Sequence, residues 1–226
     1  MDFLNSFFRY PIDQLPFFLL TILIAFTVHE FAHAYFANKF GDPTAKLLGR
    51  VTLNPAVHFD LFGVLLLVIA GFGWARPVPV NRANFDKPRL MGVIVSFAGP
   101  LSNLLLAIVG TIIYASLVGS GALGGIENER LFTAISMFFS IFNLTNFFLF
   151  LFNLIPLPPL DGYRILEDVL PPSISRKLQG VEQWSIFIFL LILITPPLQN
   201  ATIQPLYELA QNMYVNLAKG IIGFYR

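Results

Sequence analysis

Cysteine is absent from the 226 residues, and charge is scarce. Without cysteine there can be no disulfide, no thiolate-held zinc and no cysteine nucleophile. Charged residues are 12% of the chain, about half of the roughly 25% found in an average globular protein. An excess of one sign is missing too. Lys and Arg number 14 against 13 Asp and Glu, a formal +1, which excludes a nucleic-acid binder working through overall basicity. Repeats and low-complexity tracts are also missing. The N-terminus has no basic stretch and no cleavage site after its apolar core, so no removable signal peptide is expected.

Apolar residues fill the space that charge leaves. They make up 56% of the chain, Phe alone numbers 25, and the mean hydropathy is +0.71. A water-soluble chain of this size cannot hide that much apolar surface, so its solvent is lipid. The length fits one unit, read as a single transmembrane domain over 1–226.

A spanning helix needs about 20 mainly apolar residues. Such runs occur at about Leu15–Ala37, Leu90–Val118 and Leu131–Leu157, with a shorter uncharged one at Trp184–Leu198. Leu61–Trp74 is apolar but too short to cross, nearer to a re-entrant segment. Lys39, Lys46, Arg50, Arg76, Arg82, Lys87, Arg89, Arg164, Arg176 and Lys177 fall on one side of these spans, against Arg9 and Arg130 on the other. The ten-against-two imbalance makes the first side cytoplasmic. Gly73–Asn81 holds two prolines and reads as an extended edge strand, with Arg50–Leu53 as a second strand candidate. The stretch Pro205–Arg226 mixes apolar and polar residues and reads as an amphipathic interfacial helix. The expected fold is an all-α polytopic membrane protein, a bundle of about four to six spans with a small re-entrant β element on the cytoplasmic side.

Inside the first span lies Thr27-Val28-His29-Glu30-Phe31-Ala32-His33. Residues four apart share a helix face, so His29 and His33 can grip one zinc ion. Glu30, about 100° round the helix, can reach a water at the metal rather than the metal itself. On a soluble helix, two core histidines and a stray acid would account for the pattern. Within a bilayer each ionisable residue costs at least about 2.5 kcal/mol, and three together argue for a purpose. A zinc site needs a third protein ligand. Asp161, at the end of the third span, reaches the same side of the membrane as the end of the first. Taken alone, it reads first as the N-cap of a helix over Gly162–Leu170.

H-E-x-x-H in a span, followed by an Asn153…Pro156…Asp161-Gly162 segment at the end of a later span, resembles the site-2 protease family of intramembrane zinc metalloproteases. Gly49-Arg50-Val51-Thr52-Leu53-Asn54-Pro55 and Phe97-Ala98-Gly99-Pro100-Leu101-Ser102-Asn103 look like the loop and following helix of its compact bacterial and archaeal members, which lack a PDZ domain. The likeness covers a core over 15–170 and leaves 174–226 as a C-terminal span and amphipathic helix. It implies that His29, His33 and Asp161 bind one Zn²⁺ per chain, that Glu30 is the catalytic acid–base, and that Asn153 holds the developing oxyanion. The family's Asn-Pro-Asp-Gly wording is loosened here to Pro-Pro-Leu-Asp-Gly.

The implied activity is endopeptidase cleavage within or near the transmembrane segment of a membrane-anchored protein, including one already trimmed by another protease. The implied setting is the cell membrane, with the site towards the cytoplasm and no nucleic-acid partner. Unwinding a membrane helix frees its backbone groups, and Gly73–Asn81 is the expected edge for them to pair with. His58 has no implied role and reads as an interfacial histidine. Three other readings compete: a catalytically silent membrane partner or chaperone, an ion or proton translocator, and a membrane-anchored zincin with a soluble catalytic domain. The complete His29–Glu30–His33–Asp161 set, the uncharged fourth span and the motif's place inside a span weigh against them in turn.

Overall fold

The long apolar runs become long helices. The computed structural model describes residues 11–70 and 73–225, and Arg9 and the rest of the N-terminal segment lie outside that range. Along the chain run α1 (Leu15–Lys39), α2 (Thr44–Leu47), α3 (Leu61–Ala70), α4 (Pro88–Gly119), α5 (Glu129–Asn153), α6 (Asp161–Val169), α7 (Pro172–Ile194) and α8 (Pro196–Gly223). Pro16 in α1 and Pro88 in α4 sit in the first turn, where a missing N–H costs nothing. Asn128 caps α5 by accepting from the N–H groups of Arg130 and Leu131.

Three helices, α1, α4 and α5, are long and apolar enough to cross a membrane, at the positions expected from sequence. The central element is α4, which packs against α1, α5, α6 and α8. Its buried residues are mostly small, among them Gly92, Ala98, Gly99, Ala107, Gly110 and Ala115. Lipid offers no hydrophobic drive between helices, so close backbone approach over small residues supplies the packing instead. Gly110 illustrates the tolerance: a Cβ there would stand 2.2 Å from Asn143 Oδ1.

The expected fourth span is not one straight crossing. Two prolines at 196 and 197 cannot donate backbone hydrogen bonds, and the chain bends by 91° between 187–194 and 196–223. The pair counts as a fourth span only if both limbs are taken as one broken crossing. Nor is the C-terminal stretch a separate surface helix. It is part of the 28-residue α8, whose fully buried Ala210 packs with Ala107 of α4 and Phe147 of α5.

The re-entrant β element is also not found. Among the described residues there is no strand, only one isolated antiparallel bridge between Phe59 and Ala75. Leu61–Ala70 is a helix, after which the chain doubles back so closely that a Cβ on Gly63 would lie 2.2 Å from the Trp74 carbonyl oxygen. Residues 73–81 are extended but do not pair as a ladder. Their polar groups are taken by side chains and loops instead. Arg76 N–H donates to the His58 carbonyl, and Asn81 N–H to Asp42 Oδ2. Asp42, fully buried just past α1, also accepts from Thr44 N–H, Thr44 Oγ1 and Asn84 Nδ2. Burial works against its charge, but these donors hold its carboxyl below the usual carboxylate range.

Candidate functional site

Helix geometry aims the two imidazoles together, and neighbouring elements hold them. His29 Nδ1 lies 2.7 Å from Asn103 Oδ1, and His33 Nδ1 lies 2.7 Å from the Val95 carbonyl oxygen. Both partners sit on α4 and can only accept. Asn103's orientation follows from its amide nitrogen, which donates to Asn146 Oδ1 and the Ala25 carbonyl. Each histidine therefore carries a proton on Nδ1 and turns its Nε2 towards the other ring and Asp161.

The two Nε2 atoms are 3.1 Å apart. Asp161 Oδ2 stands 3.1 Å from His29 Nε2 and 3.3 Å from His33 Nε2, buried and without a hydrogen-bond donor. Three such atoms in mutual contact repel one another unless a proton or a metal cation sits among them. Donor atoms about 2.0 Å from a tetrahedral zinc stand roughly 3.3 Å apart, and the observed separations match that spacing. A two-histidine, one-carboxylate set would leave a fourth zinc position open. Asp161 does not cap its helix. Leu160 holds the cap position of α6, and the carboxylate turns to the histidines.

The site lines a cavity of about 760 Å³ with Glu30, Asn153, Phe152, Phe189 and residues of the 73–83 segment. Glu30, almost fully buried, accepts a hydrogen bond from Val78 N–H at 2.9 Å. Asn153 lines the same cavity while donating one amide hydrogen to the Leu149 carbonyl of its own helix. His58 is neither interfacial nor at the cavity mouth. It is fully buried, and its Nε2 bonds the Thr52 carbonyl at 2.8 Å, fastening the loop before α3.

Among proteins of known sequence, the model for "Peptidase family M50" matches residues 17–195. The chain belongs to peptidase family M50. This is the family of site-2 proteases, so the resemblance seen in the motifs extends over most of the chain. M50 relatives agree. "Putative zinc metalloprotease YwhC" of Bacillus subtilis is 47% identical over 96% of this chain and 98% of its own. "Putative zinc metalloprotease Rip2" of Mycolicibacterium smegmatis is 31% identical over 84% and 72%, and that of Mycobacterium tuberculosis is 32% identical over 79% and 66%. No solved structure matches. With three helices suited to crossing a bilayer, this M50 peptidase is a membrane metalloprotease.

Asn103 lies within a sequence motif that assigns it no task. Its place on α4 carries no signal linking it to a histidine 74 residues earlier, and only the packing of α4 on α1 brings it to His29. Val95 contributes a backbone carbonyl, which leaves no trace in side-chain chemistry. Groups behind a ligand commonly change metal affinity by about 10–100-fold when removed. Asn103→Leu is therefore expected to weaken zinc binding by about that factor, read by competition with a coloured chelator. An unchanged affinity would mean that the ring needs no support from Asn103.

Proposed function

We propose that this M50 member is an intramembrane zinc endopeptidase that cuts membrane-anchored proteins within or near their membrane segment, on the side of the basic loops. The observation that carries the reading is the lone-pair cluster of His29, His33 and Asp161 beside the Glu30 carboxylate, on a helix suited to spanning. His29, His33 and Asp161 would hold one Zn²⁺ per chain. When bound, zinc supplies a Lewis acid that polarises a carbonyl and makes water acidic near neutral pH.

The protein's own groups do the rest. Glu30 takes the proton from the attacking water and returns it to the leaving amine, so that one carboxylate serves as base and then as acid. Val78 N–H occupies Oε2 and leaves Oε1 for that proton. Asn153 has a second amide hydrogen beyond the one spent on Leu149, available to the carbonyl oxygen of the scissile bond as charge develops there. A good donor of this kind is commonly worth about 3–4 kcal/mol.

A membrane helix must be unwound before any of its amides can be attacked. Val80 lines the cavity two residues beyond the N–H that Glu30 takes, which supports pairing of this segment with an unwound stretch even though the segment is no strand by itself. The excess of Lys and Arg on the loops that carry this segment supports a site open towards the cytoplasm. The test is co-reconstitution in liposomes with a single-span test protein tagged at both ends. Cleavage by the zinc-loaded wild type near the basic-loop side of the segment, absent in Glu30→Gln, is the expected result. An intact test protein beside a zinc-loaded wild type would favour the silent partner.

A further inference from the structure

Arg50 is a buried charge that the metal ligands and the motif leave unexplained. It is 5% exposed, and no carboxylate pairs with it among the described residues. Its Nη2 donates to the carbonyl oxygens of Arg76 at 2.7 Å and Pro77 at 2.9 Å, while Nη1 is buried without a partner. Taking a guanidinium out of water costs several kcal/mol, so such a placement needs a return.

The return lies across one peptide bond. The Pro77 carbonyl and the Val78 N–H belong to the same planar group, and a trans peptide points them in opposite directions. Arg50 holds its oxygen end at 2.9 Å and Glu30 Oε2 takes its hydrogen end at 2.9 Å. Donation to a carbonyl polarises the amide and strengthens its N–H as a donor. Proline at 77 and at 79 leaves Val78 as the one N–H donor among residues 77–79, so neither adjacent residue has an amide to offer Glu30 instead. Burial and then Arg76 work against the cationic form of Arg50, while Glu30 favours it.

We infer that Arg50 is a positioning residue for the reaction, fixing the Glu30 carboxylate through the Pro77–Val78 peptide group. This rests on the reading of Glu30 as the acid–base. A purely structural role is the competing account, because His58 and Asp42 also fasten the segment, through Arg76 N–H and Asn81 N–H. The two accounts differ in how losses combine. If Arg50 acts through the Val78 N–H, removing both groups costs no more than removing one.

The experiment uses the full-length, zinc-loaded protein in detergent with dye-labelled casein, a generic unfolded substrate that needs no unwinding. Arg50→Gln and Val78→Pro are each expected to lower kcat by about tenfold or more, with KM within about twofold and zinc content unchanged. The double variant should match the worse single one, and Arg50→Lys should recover much of the loss. Losses that multiply, or a kcat untouched by Val78→Pro, overturn the inference.

A second readout needs no activity. The chain has no cysteine, so Val80→Cys supplies a single thiol in the same segment. Maleimide labelling should speed up in the Arg50→Gln background, and equal rates would overturn the inference as well. If wild type cuts neither casein nor the single-span test protein while labelling responds to Arg50, the endopeptidase reading fails and the hold of Arg50 on the segment stands.

Discussion

Glu30→Gln is expected to keep about one zinc per chain and to lose turnover by about 10²–10⁴-fold, the usual worth of a positioned acid–base. Glutamine has nearly the same shape and can still accept from Val78 N–H, so the pocket survives. What it cannot do is take a proton. Asp161→Ala acts differently, because it removes one of three atoms that stand 3.1–3.3 Å apart and leaves two imidazoles to hold the ion. Zinc and turnover should both go. Metal analysis of detergent-purified protein separates the cases without any substrate. If folded wild type takes up no zinc after reloading, the metal site fails as a reading.

Gly99→Ala is expected to empty the same site from the other side, with zinc affinity falling by tenfold or more on the scale seen when a ligand loses its support. A Cβ on Gly99 would stand 2.3 Å from His33 Nε2 and 2.7 Å from His29 Cε1. Neither ring can step aside, since Val95 and Asn103 pin the far nitrogen of each. Intrinsic propensity points the opposite way: alanine is better than glycine in a helix interior by about 1 kcal/mol. Helix content measured by circular dichroism should thus hold or rise while zinc is lost. Gly180→Ala in α7 is the control, because a Cβ there meets nothing within 4 Å. Equal zinc in both variants would show that the imidazoles can move.

The spans and the paired histidines were legible because both are local properties. Composition over some 20 residues decides whether a helix crosses a bilayer, and a four-residue spacing puts two rings on one face in any α-helix. The extended segment was half legible. Two prolines announced that Gly73–Asn81 is not helical, but not that its backbone groups would go to Arg50, Glu30, His58 and Asp42 rather than to a neighbouring strand. The C-terminal stretch misled for a related reason. Its mixed polarity suits a membrane surface, yet it also suits a helix laid against α4 and α5 through small Ala210. His58 misled too, since a histidine near a span end is as easily a buried loop fastener as an interfacial group.

By itself the sequence determined that the protein lives in lipid, that α1 carries two imidazoles and a carboxylate in its second half, and that Asp161 stands at the end of another span. Tertiary structure alone decided that Asp161 closes on His29 and His33, that Asn103 and Val95 orient those rings, and that one peptide group joins Arg50 to Glu30. The division has a physical cause. Helix formation and membrane insertion depend on neighbours along the chain, whereas a metal site and its supports depend on tenths of an ångström between groups up to 132 residues apart. Such distances are set by how closely small residues let the helices approach.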